Sequence, residues 1–161
     1  MLRGVVAGAL WALSLFAAAG ADAPLLEWTE LMPPGWVPSA PQYEQFFDAL
    51  DGPPPQERDA PVVEALDGRR IALEGWLVPL EFERAERYHE FLLVPFFGAC
   101  VHVPPPPANQ VVHLLIEEGV RYEELMDPQR VTGRLRASSA QTDLATAAYR
   151  MEEADTEMAQ W

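Results

Sequence analysis

The chain has 161 residues, 25 of them acidic and 11 basic, for a formal net charge of -14 at pH 7. That length holds one ordinary domain once a leader and a linker are set aside. A surface so acidic repels phosphate backbones and anionic lipid, which excludes nucleic acid as a natural partner. It suits cation handling or plain solubility.

Met1 to Ala21 reads as a secretory signal peptide. Arg3 supplies the charge, Gly4 to Ala19 the apolar core, and Ala19-Gly20-Ala21 the small-x-small cleavage pattern. Cleavage near Ala21 predicts a periplasmic or secreted protein beginning at Asp22, with an uncleaved anchor helix as the rival. No later stretch is long and apolar enough to span a bilayer, so no transmembrane segment is expected after cleavage.

Residues 22–61 read as an N-terminal segment with one helix and a proline-rich linker. Trp28, Leu31 and Met32 stand at helical spacing before Pro33-Pro34-Gly35, which predicts a single docked turn. Ser39 and Gln42 form a capping box, with Pro41 in the first turn. Tyr43, Phe46, Phe47 and Leu50 then make one apolar stripe, the mark of an amphipathic helix packed on a sheet. Gly52 to Pro61 has the composition of a linker.

Residues 62–161 read as a β domain. Val62 to Leu66 is a candidate first strand, followed by the turn signal Asp67-Gly68. Arg70 to Leu80 is a second, with Gly75 suggesting a bulge or bend. The charged run Glu81 to Glu90 leads into Phe91 to Phe97, apolar enough for a strand buried on both faces. Pro95 argues for a sheet edge or bulge, and Phe96 and Phe97 count as core. Asn109 to Glu117 is strand-like, Glu118-Gly119 a turn, and Val131 to Arg136 alternates cleanly. A closing strand is expected around Ala148 to Ala154, with a helix, suggested by the helix formers Leu144 to Ala148, as the alternative. Short strands with turn signals and one helix predict a mainly β fold: a small antiparallel barrel of about five strands, OB-like, with a sandwich as alternative.

The chemistry concentrates between Gly98 and Gln110. Cys100 and His102 stand two apart, on one face of an extended segment. Thiolate and imidazole are good ligands for Zn²⁺ or copper. Two ligands make no site, so His113 on the following strand, or His89, is the candidate third. The alternatives are a buried cysteine beside a structural histidine, and a reactive thiol activated by His102. An exported chain whose single cysteine is Cys100 makes no internal disulfide. Pro104, Pro105, Pro106 and Pro107 force polyproline II geometry, a rigid ridge that suits partner docking because it loses little entropy on binding. Asn109 and Gln110 beside it either cap the loop carbonyls or contact the partner.

These residues also carry a resemblance. Glu74 to Leu80, Phe91 to Pro95 and Gly98-Ala99-Cys100-Val101-His102-Val103-Pro104-Pro105-Pro106-Pro107-Ala108-Asn109-Gln110 resemble the bacterial family catalogued as domain of unknown function 3299. Val131 to Leu135 and the Tyr149/Met151 pair match its later segments, and Trp28 to Trp36 its lead-in. The resemblance implies an exported envelope protein, often a lipoprotein, with some members encoded beside ABC-transporter components. This chain lacks an acceptor cysteine after its leader, so no lipid anchor is expected. The expected function is therefore an exported accessory protein. It binds a partner, for which the resemblance implies an envelope ABC-transporter component, or a metal ion, through Cys100, His102 and the proline loop. A Cys-His thiol enzyme and a purely structural envelope protein are the alternatives.

Overall fold

Strands that alternate apolar and polar residues need a sheet with a dry face, and this chain provides it by closing the sheet on itself. The computed structural model describes residues 23–39, 56–81, 85–99 and 106–159. Its strands are β1 (Arg70–Pro79), β2 (Arg87–Val94), β3 (Val112–Arg121), β4 (Gln129–Arg136), the two-residue β5 (Ala140–Gln141) and β6 (Thr146–Ala147), and β7 (Tyr149–Met158). The long ones form a closed barrel in the order β1-β2-β3-β7-β4, and β4 pairs back to β1. Every pairing in the barrel is antiparallel except β3 with β7. This is the mainly β, OB-like five-stranded barrel expected from the sequence.

The period-2 pattern places the core. Ile71, Leu73 and Leu77 of β1, Phe91 and Leu93 of β2, Val112, Leu114 and Ile116 of β3, Val131 and Leu135 of β4, and Tyr149 and Met151 of β7 form one buried cluster. A second cluster lies on the opposite side of β1 and β2. There Val78, Leu92 and Val94 pack with Ala99, Val111 and Ala140, Ala145 and Ala147 from the β5–β6 ribbon. β2 is thus buried on both faces, as its unbroken apolar run predicts.

Short 3-10 turns link the strands: η1 (Trp28–Leu31), η2 (Glu64–Leu66), η3 (Ala108–Gln110) and η4 (Tyr122–Met126). The expected docked turn is η1. Leu31 is fully buried in the barrel cluster, and the Trp28 Nε1–H donates to Glu74 O at 2.7 Å. Leu25 bridges to Ala72 on the part of β1 that β2 does not reach, since β2 pairs only from Trp76 to Pro79.

Four expectations are corrected. Val62 to Leu66 holds no strand; its apolar residues turn inward through η2 and bury Leu66. Of the bulge or bend expected at Gly75, the bulge is absent. β1 runs through it unbroken, and glycine is needed there because a Cβ would collide with the Val94 carbonyl oxygen. Glu118-Gly119 is no terminal turn but a bulge inside β3, where Gly119 (φ 67°) absorbs the register shift opposite His89. Gln56 to Pro61 is not a free linker, because Ala60 is buried in the core and Gln56 is tied to two other segments. The Val131 to Arg136 alternation holds, and the closing strand runs longer than expected, to Met158. Apart from its expected cap Ser39, the helix expected up to Leu50 lies outside the described residues. Among the described residues no helix is long and apolar enough to cross a membrane.

Candidate functional site

β2 delivers the chain to the motif. Phe91 to Val94 are fully buried, and Pro95 then ends the ladder. The next four residues form a turn. Ala99 N–H donates to Phe96 O, and Gly98 at φ 81° supplies the left-handed position of a type II turn. That geometry pushes the two aromatics outward, with Phe96 43 % and Phe97 58 % exposed. They are not core, as their apolar character suggested. The signal that would have found them is the glycine directly after them.

Cys100 to Pro105, with His102 and the first two motif prolines, lie outside the described residues. The flanks are buried on both sides, Ala99 fully, and Pro106 is buried too. Pro106 is no exposed ridge. Its carbonyl accepts from Gln56 Nε2 at 2.9 Å, and the same side chain bonds both the O and the N–H of Thr146 on β6. Pro107 is half-buried. Ala108 N–H donates to Glu57 O, and Ala108 O accepts from Ala148 N–H.

Asn109 and Gln110 are buried, not partner-facing. Asn109 Nδ2 donates to Pro61 O at 2.8 Å, and Gln110 Nε2 donates to Trp28 O at 2.7 Å and to Asn109 O at 3.1 Å. Asn109 Oδ1 is buried with no partner among the described residues. Both amides therefore bind main-chain carbonyls outside the proline loop, chiefly of Pro61 and Trp28, and lock η3 against the N-terminal segment.

His113 points out of the barrel from β3. Its Nε2 lies 2.7 Å from Glu90 Oε1. A carboxylate only accepts, so Nε2 carries a proton, and in the neutral imidazole Nδ1 is then the nitrogen with the free lone pair. His113 pairs across strands with Leu92, which packs in the same cluster as Ala99. The candidate third ligand thus shares a face with the residue that precedes Cys100. His89 is spent elsewhere, with Nδ1 at 3.1 Å from Ile116 O. Among the described residues no three His, Cys, Asp or Glu side chains stand together as a metal site.

A second feature was not foreseen. A groove of about 690 Å³ opens between β3 and β7, lined by His113 to Glu118 and by Arg150 to Asp155. Its acids are scattered in sequence over two strands, and only the topology joins them. The resolved pKa displacements lie apart from both features. Burial raises the Tyr149 phenol, and hydrogen bonds from Arg121 hold the exposed Glu124 carboxyl low.

Comparison with known proteins agrees with this architecture. No curated protein matches the chain. A crystal structure of a DUF3299 family protein from Pseudomonas aeruginosa PAO1 is similar at 40% identity and a TM-score of 0.77. The match covers 88% of this chain and 99% of that one. The family model described as "Protein of unknown function (DUF3299)" matches residues 28–158. The chain belongs to the DUF3299 family.

Proposed function

We propose that this is an exported, non-enzymatic accessory protein that docks a partner protein of the cell envelope at the rim where β2 meets the proline motif. The observation that carries the reading is the pair Phe96 and Phe97, exposed on a turn whose neighbours Val94 and Ala99 are fully buried. Exposed aromatics on a rigid support give large contact area at small entropic cost, which is the character of interface anchors. Pro104 and Pro105 follow in the same sequence run, and proline loses little entropy on binding. Export rests on the leader pattern of Met1 to Ala21, and an ABC-transporter component is the partner class that the family resemblance suggests. The test is a pull-down of that component from envelope extract with Phe96→Ser/Phe97→Ser and Pro104→Ala/Pro105→Ala variants. Capture is lost in both while the melting temperature holds. Undiminished capture by both refutes the docking rim.

The second reading is a Zn²⁺ or copper site formed by Cys100, His102 and His113. The His113–Glu90 pair favours it, because ligating histidines characteristically donate their other N–H to a carboxylate. Elemental analysis of protein purified from the periplasm checks it. One equivalent of metal that disappears in Cys100→Ser and in His113→Ala supports the site, and retention in Cys100→Ser removes it.

A further inference from the structure

We propose that the groove between β3 and β7 takes an extended, lysine- or arginine-bearing segment of a partner protein by strand addition. This site lies apart from the Phe96–Phe97 rim. β3 and β7 pair only from Val112↔Tyr149 to Leu114↔Met151. Beyond that point β3 from Leu115 stays paired with β2 and β7 from Glu152 with β4, but the edges that the two strands turn toward each other across the groove have no ladder partner among the described residues. Exposed edges of this kind template another strand.

The opening is built into both strands. On β7, Glu153 sits at φ 51°, and the register with β4 slips between Thr132 and Arg134. A non-glycine residue in that region is held against its preference, and such bulges re-aim a strand. Gly133 makes room for it, since a Cβ there would lie 2.8 Å from Glu152 O. On β3, the Gly119 bulge does the corresponding work. The bulges lie beyond the paired stretch on each strand, so both are bent where they part. The volume, about 690 Å³, holds about four residues of extended chain at strand spacing.

Charge selects the occupant. The lining carries Glu117, Glu118, Glu152, Glu153 and Asp155 against Arg150. Glu152 and Glu153 reach arginines of β4 and β1 at 3.7–3.9 Å, whereas Glu117, Glu118 and Asp155 form no ion pair among the described residues. Leu115, 59 % exposed at the lip, offers an apolar contact to alternate side chains. A second copy of a chain with net charge -14 would be repelled. A basic segment is attracted.

The probe is a labelled eight-residue peptide alternating lysine with valine, read by fluorescence anisotropy on the purified protein. It binds roughly tenfold tighter than its glutamate counterpart and weakens with salt. N-methylation of alternate amides abolishes binding, because main-chain hydrogen bonds carry strand addition. Glu117→Lys/Glu118→Lys reverses the preference at an unchanged melting temperature. Phe96→Ser/Phe97→Ser leaves it intact, so failure of the rim and failure of the groove are distinguishable. No binding, equal binding of both peptides, or indifference to N-methylation overturns the proposal.

Discussion

Tyr149→Phe removes one oxygen atom, and the structure sets the size of the loss. Tyr149 is fully buried; its hydroxyl donates to Leu31 O at 2.9 Å and accepts from Val63 N–H at 2.6 Å. It thereby pins two segments of the N-terminal region to β7. The Leu31 carbonyl is buried and finds no water in the variant, at a cost of about 1–3 kcal/mol. Val63 is half-exposed, so its amide regains water and loses only about 0.5–1.5 kcal/mol net. The sum is about 1.5–4.5 kcal/mol, a large part of a typical total of about 5–15 kcal/mol. Urea unfolding at pH 8 reads it as a lower midpoint with the slope unchanged. A loss below about 0.5 kcal/mol refutes the assignment of these two bonds as anchors.

The same hydroxyl fixes a pH dependence. Burial, the largest cause, raises its pKa above the ordinary 10.0, with the Glu64 charge acting in the same direction and the Val63 N–H opposing. A group whose folded pKa is raised contributes stability that is present below the unfolded pKa and lost as pH rises through the folded one. The gap between the parent and Tyr149→Phe therefore narrows above about pH 10. The chain contains no lysine, so no ammonium groups titrate alongside. A gap that stays constant to about pH 12 contradicts the burial argument.

Two further substitutions test the packing around the motif. Gly75→Ala should cost about 2–3 kcal/mol, since the new methyl meets the Val94 carbonyl and stands 3.1 Å from Trp28 Cζ2. Chemical denaturation followed by tryptophan emission measures it; a neutral or stabilising result refutes the close approach of β1 and β2. Gln110→Ala should cost about 1–3 kcal/mol by orphaning the Trp28 carbonyl. Hydrogen exchange should then quicken at Leu26 more than at Val131 in the barrel wall, and equal acceleration at the two would argue against a local clasp.

The barrel was legible because its signals are local. Val131 to Arg136 alternates with period 2, and the unbroken run Phe91 to Val94 needs cover on both faces, which the second cluster provides. Failures came where tertiary context decides. Val62 to Leu66 has strand-like composition, yet the Val63 amide bonds the Tyr149 hydroxyl 86 residues away, and the segment turns. Phe96 and Phe97 continue an apolar run, but Gly98 forces a turn that faces them to solvent. Asn109 and Gln110 were weighed as caps of the loop carbonyls or as partner contacts; both are buried, and their amides bond carbonyls of Pro61 and Trp28 outside the loop. The groove was invisible because Glu117 and Glu152 meet only through the parallel pairing of β3 with β7, which no local pattern announces.

The motif thereby divides into two halves with different work. Pro106, Ala108, Asn109 and Gln110 are buried, and their bonds run to Gln56, Glu57, Pro61, Trp28 and Ala148. Substituting them perturbs the fold, so loss of function in such variants says little about binding. Phe96 and Phe97 make the opposite case: they are exposed, and removing their rings sacrifices little of the core. The buried residues Ala99 and Pro106 fix the chain at either end of Cys100 to Pro105. Burial of Val94 and Ala99 on either side of the turn lowers the ordering cost of contact through Phe96 and Phe97, one of the terms that separate weak from tight docking at equal area. Phe96→Ser/Phe97→Ser is therefore the variant pair that separates binding from folding, and its melting temperature must be read beside its capture.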